Sequence, residues 1–580
     1  MAEHPAFEPA PKITADRRIT LATGLQLPRR LVFLLLAWLL STAVIGELVL
    51  ALAETVPGRG EPADWSTSLL YQQPVAEIVA SRLPHTLLLL GVALGLALVL
   101  ALILALLAML VHHLEQSQSA GPLGSVLKGL GRIPTFAVAS LPAWGLGVVL
   151  VYFLAFRLQL LPAVGMVSTT GPDAGTLADR LRHLVLPVVT LAAFPTVATA
   201  QAIAREVTLP RTKGGWRIWL GGLFRALGTL LGQIGGVVGA AVLVETAFAW
   251  PGLGRTVVEA VVRGDASLLL GMLKALAVFI LVGRAAAELF RWLEGLVREE
   301  PVPAAPSRWR KTARAIYVVV ALALLLVPLG LAAAGAFTSP NAVLYENPTS
   351  RMQGPMAGHP WGTDTQGRDV RARVLRGTMI SLAAAVMGAV LATFVGGGYG
   401  ALVGFLASRR TLLTESLADV LLWTADVALF LPAVPTVLIV ASLIPTSASA
   451  ATAVNWEPVF GAVGIALLPR AMRAGQALWL GRSPTQKGGI LDGLGALFLG
   501  TILFGLGLVV TMSYVGVGVQ TPMPALGSLL REGMNLLRTN PAALLAPLFV
   551  LWACTVALYF AADALIGYFQ DKGVLARLNE

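Results

Sequence analysis

The feature that most limits what this chain can fold into is a recurrence of long apolar runs. One of them, LLLLGVALGLALVLALILALLAML at 87–110, holds no polar or charged side chain. As a helix rising about 1.5 Å per residue it would be about 36 Å long, enough to cross the ~30 Å hydrocarbon core of a bilayer. Charged residues make up 13% of the 580 positions, against about 25% in a soluble chain. The alternation of apolar and polar residues that marks an outer-membrane barrel is absent. The chain therefore reads as an all-α polytopic membrane protein.

Twelve candidate spans are expected, at 31–53, 86–111, 133–157, 184–203, 226–247, 268–293, 316–336, 378–407, 417–445, 459–477, 491–512 and 542–568. The first run is too long for a signal-peptide core and is read as a retained span. Basic residues set the orientation. Arg29 and Arg30, Arg211 to Arg225, Arg308 to Arg314, Arg409 and Arg410, and Arg470 to Lys487 all fall on one side of a twelve-span arrangement. That side, with both termini, is expected to be the cytoplasm of a bacterial inner membrane. The net charge of +11 is accounted for by these loops, and no nucleic-acid partner is expected. One loop breaks the pattern: 337–377 carries Arg351, Arg368, Arg371, Arg373 and Arg376 yet falls outside.

Residues 294–315, EGLVREEPVPAAPSRWRKTARA, form a charged, proline-rich connector. It divides the chain into a cytoplasmic N-terminal segment (1–30), a first six-span module (31–293), the linker (294–315), a second module (316–568) and a cytoplasmic tail (569–580). The halves echo each other. Each has a long external segment before a very long second span. Each also has an aromatic-x-Gly-x-Gly turn after its fifth span, Trp250-Pro251-Gly252-Leu253-Gly254 and Tyr514-Val515-Gly516-Val517-Gly518. Glycines at four-residue spacing, as in Gly91-x3-Gly95 and Gly396-x3-Gly400-x3-Gly404, let helix backbones approach closely in lipid.

Chemistry-bearing motifs are mostly missing. There is no GxxxxGK[ST] loop to cradle ATP phosphates, no GxSxG and no HExxH. A single cysteine, Cys554, allows no intrachain disulfide. The adjacent His112 and His113 point to different helix faces, so no metal site is expected, and no cofactor. Among intramembrane carboxylates Asp426 lies deepest, where it serves either as an inter-helix hydrogen-bonding group or as the proton- or ion-coupling group of a carrier.

The polar stretch GHPWGTDTQGRDV (358–370) stands between two apolar runs. Asp364 and Asp369 are too few for a calcium loop. Pro360, Gly362 and Gly367 punctuate tight turns, and the two aspartates can cap amides or pair with Arg368 or Arg371. The stretch is expected to be an ordered external turn leading into the helix of the eighth span.

This stretch also resembles the opening signature of the second permease subunit of dipeptide, oligopeptide and nickel ABC importers. His359, Pro360, Gly362, Thr363, Asp364, Gly367, Arg368 and Asp369 fill every fixed position of that pattern. Asp426-x5-Pro432 and SYVGVGVQ (513–520), with Ser513, Gly516 and Gly518, continue the likeness. The first half resembles the partner permease subunit, through SRLPHTLLLL (81–90), SLPAWGLG (140–147), FRLQLLPAVG (156–165), DRLRHLVLPVVTL (179–191) and VETAFAWPGLGR (244–255), which contains Glu245, Trp250, Pro251, Gly252 and Gly254. The resemblance implies two permease subunits fused in one chain, with separate ABC ATPase subunits and an extracytoplasmic binding protein as partners. The family's cytoplasmic coupling motif, Glu-Ala-Ala-x3-Gly, is missing. Its places are taken by shortened loops around Arg205 and Lys213-Gly214-Gly215 and around Arg470 and Lys487-Gly488-Gly489. Three functions follow from these readings: an importer permease, a permease-derived structural subunit of another membrane complex that has lost its ATPase contact, or an ion-coupled carrier using Asp426.

Overall fold

The computed structural model describes residues 14–55, 64–116, 143–208, 216–297, 311–409, 411–429, 433–443, 456–480, 490–519 and 522–571. These residues form helices and connecting turns, and the only β pairing among them is three isolated bridges. The first half runs α1 (Thr14–Thr55), α2 (Val75–Gln116), α3 (Ala143–Leu150) continued by a π-helical turn (Val151–Arg157), and α4 (Leu177–Thr208). It goes on through α5 (Trp216–Gly232), α6 (Ile234–Ala247), α7 (Leu253–Arg263) and α8 (Ala266–Val297). The second half runs α9 (Lys311–Leu324), α10 (Leu326–Phe337), α11 (Pro340–Leu344) and α12 (Val370–Leu391), which a π-helical segment (Ala392–Gly397) joins to α13 (Gly398–Ser408). Then come α14 (Leu412–Leu429), α15 (Ala433–Leu443), α16 (Trp456–Leu480), α17 (Ile490–Val515), α18 (Leu526–Asn535) and α19 (Ala542–Asp571).

Among the described residues eight helices are long and apolar enough to cross a membrane, or nine if α5 and α6, bent by 50° at Gln233, make one span. This is fewer than the twelve expected, for reasons visible in the helices. The expected span at 133–157 is described only from residue 143, where it is short. The expected span at 417–445 consists of two short helices, α14 and α15. The expected span at 459–477 is one helix, α16, but Pro469, Arg470 and Arg473 interrupt its apolar run.

The two halves pack their helices in the same order. In the first, α2 packs on α4, α6 on α7, α7 on α8, and α8 on α1. In the second, α12 and α13 pack on α16, α17 on α18, α18 on α19, and α19 on α9. Contacts between the halves run through α15, which touches α1, α6 and α7, and through α14 against α1. There Ser41 donates to the Val427 carbonyl at 2.6 Å, and the Trp423 indole donates to the Phe33 carbonyl at 3.1 Å. A continuous set of buried apolar side chains links both halves.

Glycine spacing proves selective. A Cβ at Gly396, Gly400 or Gly404 would collide with Leu468 and Ala471, Met472 and Gln476, or Trp479 of α16, so this stripe is a helix–helix seam. Gly91 and Gly95 face nothing within 4 Å.

Candidate functional site

The short helices α7 and α18 are where the sequence motifs converge. In α7, LGRTVVEAVVR, the residues Leu253, Val257, Val258, Ala260 and Val261 are buried, while the charged Arg255, Glu259 and Arg263 lie on the other side of the helix. Gly264, in the left-handed region at φ 66°, ends the helix.

The carboxylate of Glu245, fully buried at the end of α6, sits at the N-terminus of α7. It accepts from the Thr86 hydroxyl at 2.8 Å and from the Arg255 amide at 3.1 Å. Thr86 in turn accepts from the Leu253 amide at 2.8 Å, so one hydroxyl links α2, α6 and α7. A carboxylate at a helix N-terminus meets unpaired N–H groups and the positive end of the helix dipole. Gly252 leaves room for that carboxylate, and Gly254 lets the helix start lie close against α6, since a Cβ there would come within 2.5 Å of the Val242 Cα. Trp250 is buried and donates its indole N–H to the His85 carbonyl at 3.1 Å. Pro251 precedes the helix in the turn.

The second half builds the same joint with other residues. The Leu526 amide donates to Ser381 at 3.1 Å, as Leu253 does to Thr86. Gly527 presses on Val510 and Ser513 as Gly254 presses on Val242 and Glu245. The structural counterpart of Gly254 is therefore Gly527, not Gly518 as the paired aromatic-x-Gly-x-Gly turns suggested. Gly516 (φ 101°) and Gly518 belong to a longer turn after α17 that the first half lacks. The repeated signal is Leu-Gly-x4-Glu, LGRTVVE at 253–259 and LGSLLRE at 526–532. The glutamate ending each copy ties its short helix to the segment before the second span: Tyr71 donates to Glu259 at 2.7 Å, and Arg373 donates to Glu532 at 2.7 Å. Past each short helix, a second residue does the same. Asp265 accepts from Ser68 at 2.6 Å and from the Leu70 amide at 2.9 Å, while Asn540 donates to the carbonyls of Trp361 at 3.0 Å and Thr363 at 3.3 Å.

The 358–370 stretch is held by the second of these joints. Asp364 is 3% exposed and accepts from the amides of Gln366 at 2.8 Å and Arg368 at 2.9 Å, from the Arg368 side chain at 2.8 Å, and from Arg373. Burial pushes its carboxyl up, but the Arg373 charge and the Arg368 hydrogen bonds outweigh this and hold it below the usual carboxylate value. Thr363 is buried and donates to the Ser350 carbonyl. Gly362 (φ 72°) and Gly367 (φ 80°) occupy backbone that other residues avoid, and a Cβ at either would strike Gln353 or Asn347. Asp369 caps α12, accepting from the Arg371 amide at 2.9 Å, and His359 lies 3.7 Å from the same carboxylate. Pro360 follows in the turn.

This arrangement also gives internal partners to Arg368, Arg373 and Arg376 among the five arginines that broke the charge pattern. Arg373 is 1% exposed and paired, and Arg376 donates to the carbonyls of Gly335 at 3.3 Å and Ala336 at 3.4 Å, at the end of α10. Both satisfy acceptors within the fold. Thr86, Glu259, Asp265, Ser381, Glu532 and Asn540 were not singled out in the sequence, because each gains its role from a partner far along the chain.

The remaining sequence-derived residues are placed as follows. Arg470 lies inside α16 rather than in a loop, because the helix continues to Leu480. Arg205 lies in the last turn of α4, whose helical path also extends past the expected boundary. Lys213, Gly214, Gly215, Lys487, Gly488, Gly489 and Pro432 lie outside the described residues, as does the side chain of Asp426. Glu288 pairs with Arg30 at 3.2 Å and Arg291 at 2.7 Å. Among the described residues no group of three His, Cys, Asp or Glu side chains could hold a metal ion.

No family profile matches the chain. Individual proteins do. The dipeptide transport system permease protein of Alkalihalophilus pseudofirmus is 24% identical over 282 residues, covering 45% of this chain and 89% of that protein. The oligopeptide transport system permease protein of Bacillus subtilis is 27% identical over 252 residues, covering 40% of this chain and 75% of that protein. A glutathione transport system permease protein of Pectobacterium atrosepticum is 24% identical over 265 residues, covering 44% and 87%. With the all-helical, multi-pass fold, these similarities make the chain a homologue of the inner-membrane permease subunits of peptide-class ABC transport systems.

Proposed function

We propose that the chain is the complete transmembrane pair of an ABC-type importer of the peptide/nickel class, with two permease units, 31–293 and 316–568, joined through 294–315. One observation carries this reading: most of the length of each relative maps onto less than half of this chain. The repeat of the Leu-Gly-x4-Glu joint, with Thr86 in one half and Ser381 in the other, supports it. In this reading the termini and the 209–215 and 481–489 connections are cytoplasmic. The joints around α7 and α18, with 358–370, frame the external mouth. Separate ATPase subunits drive transport, and an external binding protein delivers substrate. Neither half carries a phosphate-cradling loop of its own. The test is reconstitution of the purified chain in proteoliposomes with a candidate ATPase and binding protein from the same genome. ATP-dependent peptide uptake is expected, and uptake that is absent with every such pair would overturn the proposal.

One observation favours a second reading. Only residues 209–215 separate α4 from α5, and only 481–489 separate α16 from α17. The family resembled places a coupling helix at these points, and neither connection is long enough for more than about two helical turns. A permease-derived structural subunit that has lost its motor contact would have such connections. Native-membrane pull-down separates the readings: a stoichiometric ATPase supports the importer, and a different membrane complex in its place supports the structural subunit.

A further inference from the structure

Two opposite charges stand within membrane-crossing helices and face outward. Glu47 is the only charged residue in the 31–53 run of α1, and Lys274 is the only one between Asp265 and Arg284 along α8. Both are exposed. On α1 the buried residues Ala37, Ser41, Ile45, Val49 and Ala53 recur at every fourth position and form the seam against α8 and the second half. Glu47 is two positions from both Ile45 and Val49. Two positions turn a helix by about 200°, so Glu47 projects away from that seam. On α8, Lys274 shares its side with the exposed Val278 and Val282, spaced at fours. Charges facing hydrocarbon are costly and mark places where function or a partner compensates them.

The heights of the two charges agree. Arg30 and Glu288 pair at 3.2 Å and so mark one common level of α1 and α8. From that level Glu47 is seventeen residues along α1 and Lys274 fourteen residues along α8, about 25 Å and about 21 Å at ~1.5 Å per residue. Both therefore lie about 5–9 Å inside the far surface of a ~30 Å hydrocarbon core, below the level of lipid phosphates. The surface beside Glu47 is also low. Ala43 is exposed, and a Cβ at Gly46 meets nothing within 4 Å. Small residues of this kind let the backbone of another helix approach closely, which a short glutamate side chain needs to reach its partner.

The second half lacks these charges. Its matching helices α9, α10 and α19 pack in the same order, yet 316–336 and 542–562 hold no charged residue. Glu47 and Lys274 are additions to one half rather than a requirement of the repeated architecture. A partner for this face must present a cation at one depth and an anion at nearly the same depth. A second copy of the chain does both. A two-fold axis along the membrane normal leaves depth unchanged and sets Glu47 of each copy against Lys274 of the other, the self-complementarity that an isologous interface requires.

We propose that the α1–α8 face binds a second copy of this chain within the membrane, with Glu47 and Lys274 paired reciprocally across the two-fold axis. The inference needs only that α1 and α8 cross the membrane, so it stands apart from both functions proposed above.

The test co-expresses two differently tagged full-length copies, one with Glu47→Cys and the other with Lys274→Cys, and oxidises them in the native membrane with copper phenanthroline. One of the two reciprocal ion pairs stays intact in such a dimer, and the natural Cys554 is buried. A disulfide-linked dimer carrying both tags is expected. In native mass spectrometry Glu47→Lys alone and Lys274→Glu alone should each weaken the dimer about tenfold or more, the scale of a charge-assisted hydrogen bond. The double exchange Glu47→Lys with Lys274→Glu should restore it, which a merely destabilised fold would not do. Gly46→Leu should weaken the dimer while leaving the melting of the single copy unchanged, because its side chain enters open space. A monomeric unaltered chain with no two-tag disulfide overturns the proposal. So does a disulfide that forms within a chain carrying both cysteines and never between chains. Single reversals that abolish the dimer without recovery in the double exchange overturn the pairing, as does a different membrane protein held by the unaltered chain and lost in Lys274→Glu with no two-tag dimer.

Discussion

Replacing Asp364 with alanine tests the ion network at the joint around α18. This carboxylate serves the amides of Gln366 and Arg368 and the side chains of Arg368 and Arg373. With it gone, Arg373, 1% exposed, and Arg368, 5% exposed, share Glu532, whose side chain is 22% exposed. Removing one member of a buried pair costs about 3–5 kcal/mol, because the other charge is left without compensation. Glu532 remains 2.7 Å from Arg373, which places the cost at the lower end, about 3 kcal/mol. The cost falls on the 350–369 segment and its seat against α12 and α18. As a local opening equilibrium, about 3 kcal/mol raises the open population roughly 100-fold. Amide hydrogen exchange reads this directly. The amides of Met352, Thr363 and Asp364, bonded to the carbonyls of Asp364, Gln353 and Arg368, should exchange about 100-fold faster, while those of α8 are unchanged. A change below about threefold would refute the reasoning, since the backbone bonds and Asn540 would then hold the loop without the charges.

The pH dependence of the same loop has a defined sign. The Asp364 carboxyl is held below its unfolded value of about 3.9, so its contribution is complete above that value and is lost as pH falls through the folded pKa. Loop protection, corrected for intrinsic exchange, should be constant from about pH 7 to 5 and fall only below about pH 4; loss between 7 and 5 would contradict this. Thr86→Val should destabilise about twice as much as Ser381→Ala in denaturant titrations of the purified protein. Thr86 serves both Glu245 and the Leu253 amide, whereas Ser381 serves the Leu526 amide, and each orphaned buried group costs about 1–3 kcal/mol. Gly254→Val and Gly527→Val should each lower the midpoint by an overpacking cost of about 1–3 kcal/mol or more, because the added carbons meet α6 or α17 backbone. Gly91→Val, facing open space, should be close to neutral, and an equal effect at all three positions would remove the distinction between seam and surface.

The ordered turn at 358–370 was legible in the sequence because its determinants are local. Asp369 caps the helix that begins at the next residue, and Gly362 and Gly367 meet backbone demands within a few positions. The partners that lock the turn were not legible, because Glu532 lies 159 residues from Arg373 and Asn540 lies 177 residues from Thr363. The pairing of glycine turns misled for a related reason. Sequence spacing after the fifth span matched Gly254 with Gly518, but contact with the preceding helix matches it with Gly527. Helix ends were misjudged where charge was taken as a boundary, as at Arg470, which backbone hydrogen bonding carries inside α16.

The sequence by itself determined that this chain is an all-α, multi-pass membrane protein and that its segments resemble peptide-class permeases. Both follow from features within one segment: apolar length against bilayer thickness, and short motifs with fixed spacing. Only the tertiary structure decided which glycines are seams and which arginines are paired. Those outcomes depend on which helices meet. In lipid, where apolar burial does not distinguish one helix face from another, close packing and polar satisfaction select the partners.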